Sequence, residues 1–289
     1  MKDSESNFYQ AEQPKEREIE NRLLRQLPQI AHTLILDSPR NKNFQSNPDD
    51  PKEHEPKWHQ FGIITHTAKL SEHYHQTVPK YLQEWGLNEM VVEKLSEEID
   101  GKTKAELLGI SMPLHDLGKF ASPCREKSKS ESVRNHLGHE EKSAEIINKN
   151  SNVRKILIES GLTESQIDYI ARCAQTHYEL GKMRALADSL GFGFNMAFVK
   201  SSECRTACQK IAEKFPELKI EIGIYFLADS LAKTDLVISA DSDDEIKAQS
   251  DRIKQKIKDL GLNPNLISAV LQSPVNINAA KTYLKQAIR

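Results

Sequence analysis

From residue 62 onward, apolar residues recur mostly three and four positions apart, the spacing of one buried face on an α-helix. Residues 19 to 36 carry the same period. Between them, "DSPRNKNFQSNPDDPKEHEPKW" (37 to 58) holds four prolines with several Asn and Asp, which predicts a long loop. In "SGLTESQIDYI", Gly161 is placed to end one helix, and Thr163 with Gln166 has the capping-box spacing that starts the next. The sequence has no alternating strand pattern of useful length, no internal repeat, and no GxGxxG or GxxxxGK loop. The fold class predicted is all-α.

Three regions follow from this pattern. Residues 1–18 are polar and charged without an apolar period and predict a flexible N-terminal tail. Residues 19–240 form the helical domain. Residues 241–289 form a C-terminal helical extension of two or three short helices. It opens on "DSDDE" (241 to 245), whose acids suit a helix N-terminus.

A chain of 289 residues can build one large core, or one domain with an appendage. The formal net charge of −2 gives no bulk reason to expect nucleic acid or an anionic membrane as partner. Four cysteines without a CxxC spacing argue against a disulfide framework and against a cysteine zinc site. Cys204 and Cys208, one helical turn apart, are expected as reduced thiols. The polar N-terminus predicts no signal peptide, and no stretch reaches the length of a membrane span. These features predict a soluble protein of a reducing cytoplasm with no membrane partner.

Five places put His or Asp on a predicted apolar helix face. His66 shares its stripe with Ile63 and Leu70. In "SMPLHDLGKF", His115 and Asp116 close the helix of Leu107, Leu108 and Leu114, and Gly118 is expected to take the left-handed turn that ends it. His139 opens a helix whose inner face includes Ile146 or Ile147, and His177 continues the stripe of Ile167, Ile170 and Ala174. Asp229 and Asp235 each fall in "IEIGIYFLADSLAKTDL". Singly, such a His reads as a hydrogen-bonded core residue and such an Asp as a cap or half of an ion pair. As a set they differ, because buried imidazoles and carboxylates are costly unless paired or bound to metal. Several helices each delivering one such group is how a bundle builds a metal site. Mixed N and O donors suit a divalent Mn, Co, Ni or Fe ion, with Mg or Zn also compatible.

The order His66, His115-Asp116, late Asp resembles the H…HD…D pattern of the HD superfamily of metal-dependent phosphohydrolases. "LHDLGK" is similar to the family's central signature, "GHEEKSAEI" to its "GHE..SA" helix start, and "THYELGK" to the further His of its two-metal members. "EPKWHQFGIITHTAKL" is similar to the H…G…HT opening of HD domains attached to CCA-adding tRNA nucleotidyltransferases, with a spacing one residue shorter. The resemblance covers roughly residues 57 to 238, and the chain before it is too short for a nucleotidyltransferase domain, so a freestanding HD-like helical bundle is expected.

The resemblance implies that His66, His115, Asp116 and a late Asp hold one divalent ion. His139 and His177 would take a second ion or contact the phosphate. For the late Asp, "LADSLAK" points to Asp229, whereas the cleaner stripe of Ile224, Leu227, Leu231 and Ile238 and the ending "LAKTD" point to Asp235. Asp116, Lys119 and His139 are the expected catalytic residues, Asp116 orienting water and Lys119 neutralising phosphate charge. His59 and His136 are candidates for contacts beside the ligands or with substrate. His54, His73 and His75 are expected at the surface, Lys182 and Arg184 on a solvated face, and "CREKSKSESVR" (124 to 134) as a mobile loop over the site.

The implied function is hydrolysis of a phosphate mono- or diester of a nucleotide or nucleotide-like small substrate, with an RNA end also compatible. The alternative is a metal-containing sensor or binding module for a nucleotide with little turnover. A purely structural scaffold would not need polar groups at five inner positions.

Overall fold

A computed structural model of the chain describes residues 14–36, 46–121 and 136–289. The tail before residue 14, the first part of the predicted loop (37–45) and all of the predicted mobile loop at 124–134 lie outside the described residues. What is described is all-α apart from one two-residue hairpin.

Helix α1 (Pro14–Leu36) buries Ile19, Leu23, Leu27, Ile30 and Leu34, one face at three- and four-residue spacing. It takes in residues 14–18, which their polar composition had assigned to the tail. After a loop come α2 (Ile63–Gln76), α3 (Val78–Glu84) and α4 (Asn88–Leu95). A hairpin of β1 (Glu98–Ile99) and β2 (Lys102–Thr103) follows, closed by Asp100 and Gly101 at φ 50° and 83°. Its Asp-Gly dipeptide is a tight-turn signal that helical periodicity hides. Next is α5 (Lys104–Ser111), started by a capping box between Thr103 and Glu106.

Beyond two short 3-10 turns lie α6 (His139–Lys149), α7 (Ser151–Glu159) and α8 (Glu164–Thr176). The junction before α8 has the predicted form, with Gly161 at φ 82° and a capping box between Thr163 and Gln166. Then come α9 (Met183–Ser189), α10 (Met196–Lys200), α11 (Ser202–Lys214) and α12 (Lys219–Ala232). On α11, Cys204 and Cys208 are buried free thiols.

Helix α12 is the axis of the molecule. Every residue from Ile220 to Ala232 is buried, and the helix packs against α2, α8 and α11. A helix apolar on all sides must be enclosed, and the sequence from Ile222 to Ala228 has no polar residue to face water.

The C-terminal region is not a set of short helices. It is α13 (Asp243–Asp259, 17 residues) and α14 (Ile267–Ala287, 21 residues), with α14 running through Pro274. Pro274 has no N–H to offer the carbonyl of Val270, and the Ser273 hydroxyl donates to that oxygen instead at 2.8 Å. Val275, Ala280, Tyr283 and Leu284 of α14 enter the main core, where Gly223 makes room: a Cβ there would lie 2.5 Å from Leu284 Cδ2. A smaller apolar cluster of Leu236, Ile253, Ile257, Leu266 and Val270 packs against Trp58. The acids at 243–245 do sit in the first turn of α13, and Asp243 also accepts from the Met196 and Ala197 amides that start α10. No helix among the described residues is long and apolar enough to cross a membrane.

Candidate metal centre

Proline 113 stops α5 before the His-Asp pair, since it cannot supply the next helical N–H. The chain continues as 3-10 turns over Met112–Leu114 and Leu117–Phe120, and His115-Asp116 is held between them. Gly118 is not left-handed, contrary to the sequence expectation. It is required for another reason: a Cβ at this position would lie 2.1 Å from the backbone oxygen of His139. The Gly118 amide donates to Ser143 Oγ at 2.9 Å, which ties this turn to the start of α6.

Besides His54, whose Nε2 lies 3.9 Å from Oδ2, four imidazoles surround Asp116. His115 Nε2 lies 3.1 Å and His66 Nε2 3.9 Å from its Oδ2. His139 Nε2 lies 3.3 Å and His177 Nε2 3.7 Å from its Oδ1. His66 comes from α2, His139 from the first position of α6 after the left-handed Gly138 (φ 79°), and His177 from the end of α8. Two triads thus share Asp116, namely His66–His115–Asp116 and Asp116–His139–His177. Within each, the ligand atoms lie within 4.8 Å of one another.

The rings are fixed from behind. Nδ1 of His115 donates to Met112 O at 2.9 Å, that of His139 to His136 O at 2.8 Å, and that of His177 to Ala174 O at 2.6 Å. His66 Nδ1 lies 3.2 Å from Ala232 O. A proton committed to Nδ1 leaves Nε2 as a bare lone pair, the tautomer a metal ligand needs. His139 Nε2 and His177 Nε2 then face each other at 3.2 Å, acceptor to acceptor. Buried His115 Nε2 and Asp116 Oδ1 have no hydrogen-bond partner despite their close neighbours. Converging lone pairs and orphaned buried acceptors fit a cation between them, and the N and O donors suit a first-row divalent ion.

Asp229, in the last turn of α12, borders the first group through His66: its Oδ1 lies 3.1 Å from His66 Nε2 and its Oδ2 2.9 Å from Lys233 Nζ. Asp235 lies outside the centre. Its side chain is 55% exposed, pairs with Lys69 at 2.7 Å and accepts from Gln60. The stripe that pointed to it assumed a helix through residue 238, but α12 ends at Ala232.

Lys119 is buried. Its ammonium donates to Asp116 Oδ2 at 2.7 Å and to His54 Nε2 at 3.1 Å. Burial works to lower it, yet Asp116 and Asp229 hold it above the ordinary lysine value. Burial likewise works to raise Asp116, but His115 and Lys119 keep its carboxyl well below the usual range; Lys233 and His66 do the same for Asp229. Burial lowers His66 and His177, so both favour the neutral form that ligates.

His54 is not a surface residue: it is fully buried, donates from Nδ1 to Phe61 O, and stacks on His59 with centroids 3.7 Å apart. With His66 these two rings form a third close imidazole group, but Lys119 already occupies His54 Nε2. His75 is also inside, bonded to the buried Glu20, while His73 is half-buried against Thr77. His136 is buried and donates to Glu53 O.

The centre opens into a cavity of about 260 Å³ whose wall includes His59, Lys119, His139, His177, Asp229 and Lys233. Arg184, expected in solvent, lies on this wall, its guanidinium over the rings of Trp58 and Phe194. Lys182 is exposed and pairs with Glu179. Sequence reasoning missed His54, Lys233 and Glu55, which also lines the cavity. The loop composition masked the first and last, although two histidines five residues apart before "FGIITH" were a usable signal. Lys233, one turn beyond Asp229 in sequence, is that residue's ion-pair partner.

Compared with protein-family models, curated proteins and solved structures, the chain matches none.

Proposed function

We propose that this chain is a metal-dependent phosphohydrolase of the HD type, hydrolysing a phosphate mono- or diester of a nucleotide or nucleotide-like small molecule. One observation carries the reading: the Asp116 carboxylate stands between two pairs of imidazoles whose Nε2 atoms all approach it. In this reading His66, His115, Asp116 and Asp229 hold one divalent ion, and Asp116, His139 and His177 hold a second. When bound, such ions supply Lewis-acid activation of water and of a phosphoryl oxygen.

The chain's own residues supply the rest. Lys119 and Lys233 bring positive charge to the cavity wall, where a phosphate dianion needs it. Asp116 orients water as well as ligating, and His139 serves catalysis from the same wall. Arg184 over Trp58 offers a flat cationic surface to a base or a second phosphate. The order of the motif residues is the one the HD superfamily uses.

The test is elemental analysis of protein purified without chelator, followed by a phosphatase and phosphodiesterase panel that includes nucleotides and RNA ends. Metal-dependent release of phosphate or of an ester product supports the reading. Metal and nucleotide binding without turnover would favour the sensor alternative instead.

A further inference from the structure

Glu55 is one of two described residues other than glycine with a left-handed backbone, at φ 48°. Its carbonyl accepts from the amides of Trp58 and His59 at 2.8 and 3.1 Å, so this turn sets both rings on the cavity wall. Glycine or asparagine would take that backbone more easily. The chain carries a glutamate there at a conformational cost, and strain of this kind concentrates at functional sites.

The side chain has no evident structural task. It is half-buried on the wall that also carries Lys119, His139 and Asp229. Among the described residues no hydrogen bond or ion pair holds its carboxyl. Structural carboxylates in this molecule look different: Glu20 accepts from Ser71 and His75, and Glu221 from Tyr169.

We infer that Glu55 is the catalytic acid that protonates the leaving oxygen of the substrate, which marks the substrate as an ester of an ordinary alcohol such as a sugar hydroxyl. The inference rests on the phosphohydrolase reading. In the step, water that has released one proton to solvent attacks phosphorus, and a new P–O bond forms. The bond from phosphorus to the leaving oxygen breaks and its electron pair stays on that oxygen. The Glu55 proton is transferred there, giving the free alcohol, and the carboxylate regains a proton from solvent. Burial raises the Glu55 carboxyl above its usual value, while Lys119, His139 and Lys233 pull it down and Asp116 adds to the rise. An acidic leaving group such as p-nitrophenolate departs without a proton, whereas an alkoxide does not.

The experiment compares wild type with Glu55→Gln, both metal-loaded and full length, on a p-nitrophenyl ester and on a nucleoside ester of the same phosphoryl class. The expected result is a loss in kcat of about 100-fold or more on the nucleoside ester, and less than about threefold on the p-nitrophenyl ester, with metal content unchanged. Glu55→Gly should show the same split with a Tm no lower than wild type, because glycine accepts the backbone. Equal losses on both esters, or no loss on the nucleoside ester, overturn the assignment. A metal-loaded wild type that cleaves neither ester removes the phosphohydrolase reading, and the inference falls with it.

Discussion

His139 and His177 present their Nε2 atoms to each other at 3.2 Å, while each ring is already committed through Nδ1 to a backbone carbonyl. With the ring proton on Nδ1 in both, two lone pairs face each other across this contact, and a cation bound between them would turn that opposition into shared ligation.

We predict accordingly that the protein takes up about two divalent transition ions per chain. In His177→Ala one equivalent should be lost and one kept, because His66, His115 and Asp229 do not depend on that ring. Metal titration with elemental analysis reads this directly. Unchanged stoichiometry in His177→Ala would show that the second triad is not a ligand set. Saturation at about 100 times Kd should stabilise the fold by about 2.7 kcal/mol, visible as a higher Tm.

Asp229 and Asp235 should separate cleanly. Asp229→Asn removes a charge that faces His66 and Lys233, so metal affinity should fall by about 10- to 100-fold or more, and activity with it. Asp235→Asn touches an exposed pair with Lys69, worth about 0–1 kcal/mol, and a hydrogen bond from Gln60, both away from the centre. Calorimetric titration of both variants checks this, and a reversed pattern places the ligand on the wrong residue.

Gly118→Ala should be costly out of proportion to one methyl group. The obstacle is the His139 backbone, which cannot rotate away as a side chain can. A stability loss of about 3 kcal/mol is expected, with weakened metal binding because the turn carrying His115 and Asp116 shifts relative to His139. Urea unfolding of the metal-free variant measures the first effect. A loss below about 1 kcal/mol would show that the two segments can separate freely.

Stability of the metal-free protein should fall in mild acid. Burial, foremost, holds His54 and His59 well below the ordinary imidazole value of 6.5, so they stay neutral in the fold and gain protons when it opens. Unfolding thus takes up protons below pH 6.5, and stability is lost as pH drops from there toward the depressed folded values. Two such groups give a slope of up to about 2.7 kcal/mol per pH unit. His66 and His177 act in the same direction. Urea midpoints at pH 7.5, 6.5 and 5.5 that stay level would contradict the burial of these rings in solution.

The helical class and most of the centre were legible because both depend on local pattern. His66, His115, Asp116, His139 and His177 sit on apolar stripes or at helix ends, and those positions decide which way a side chain faces. Three features were hidden for physical reasons. His54 and Glu55 lie in a segment rich in Pro and Asp, where composition reports solvent exposure and says nothing about a turn folded back onto the core. Asp235 borrowed its period from a helix that had already ended at Ala232. Pro274 reads as a breaker until Ser273 is seen to serve the abandoned Val270 carbonyl. Each is a case of one neighbour overriding a rule that holds on average.

Trp58 lines the cavity with Arg184 over its ring, and it is one of two tryptophans in the chain. The other, Trp85, lies in the main core. The molecule therefore has a built-in optical reporter. Light emitted by Trp58 is sensitive to whatever fills the cavity and to paramagnetic quenching by Mn or Co nearby. Trp85→Phe would leave that signal alone on a dark background, so that occupancy of the centre could be followed in real time without labels, coupled assays or a known substrate.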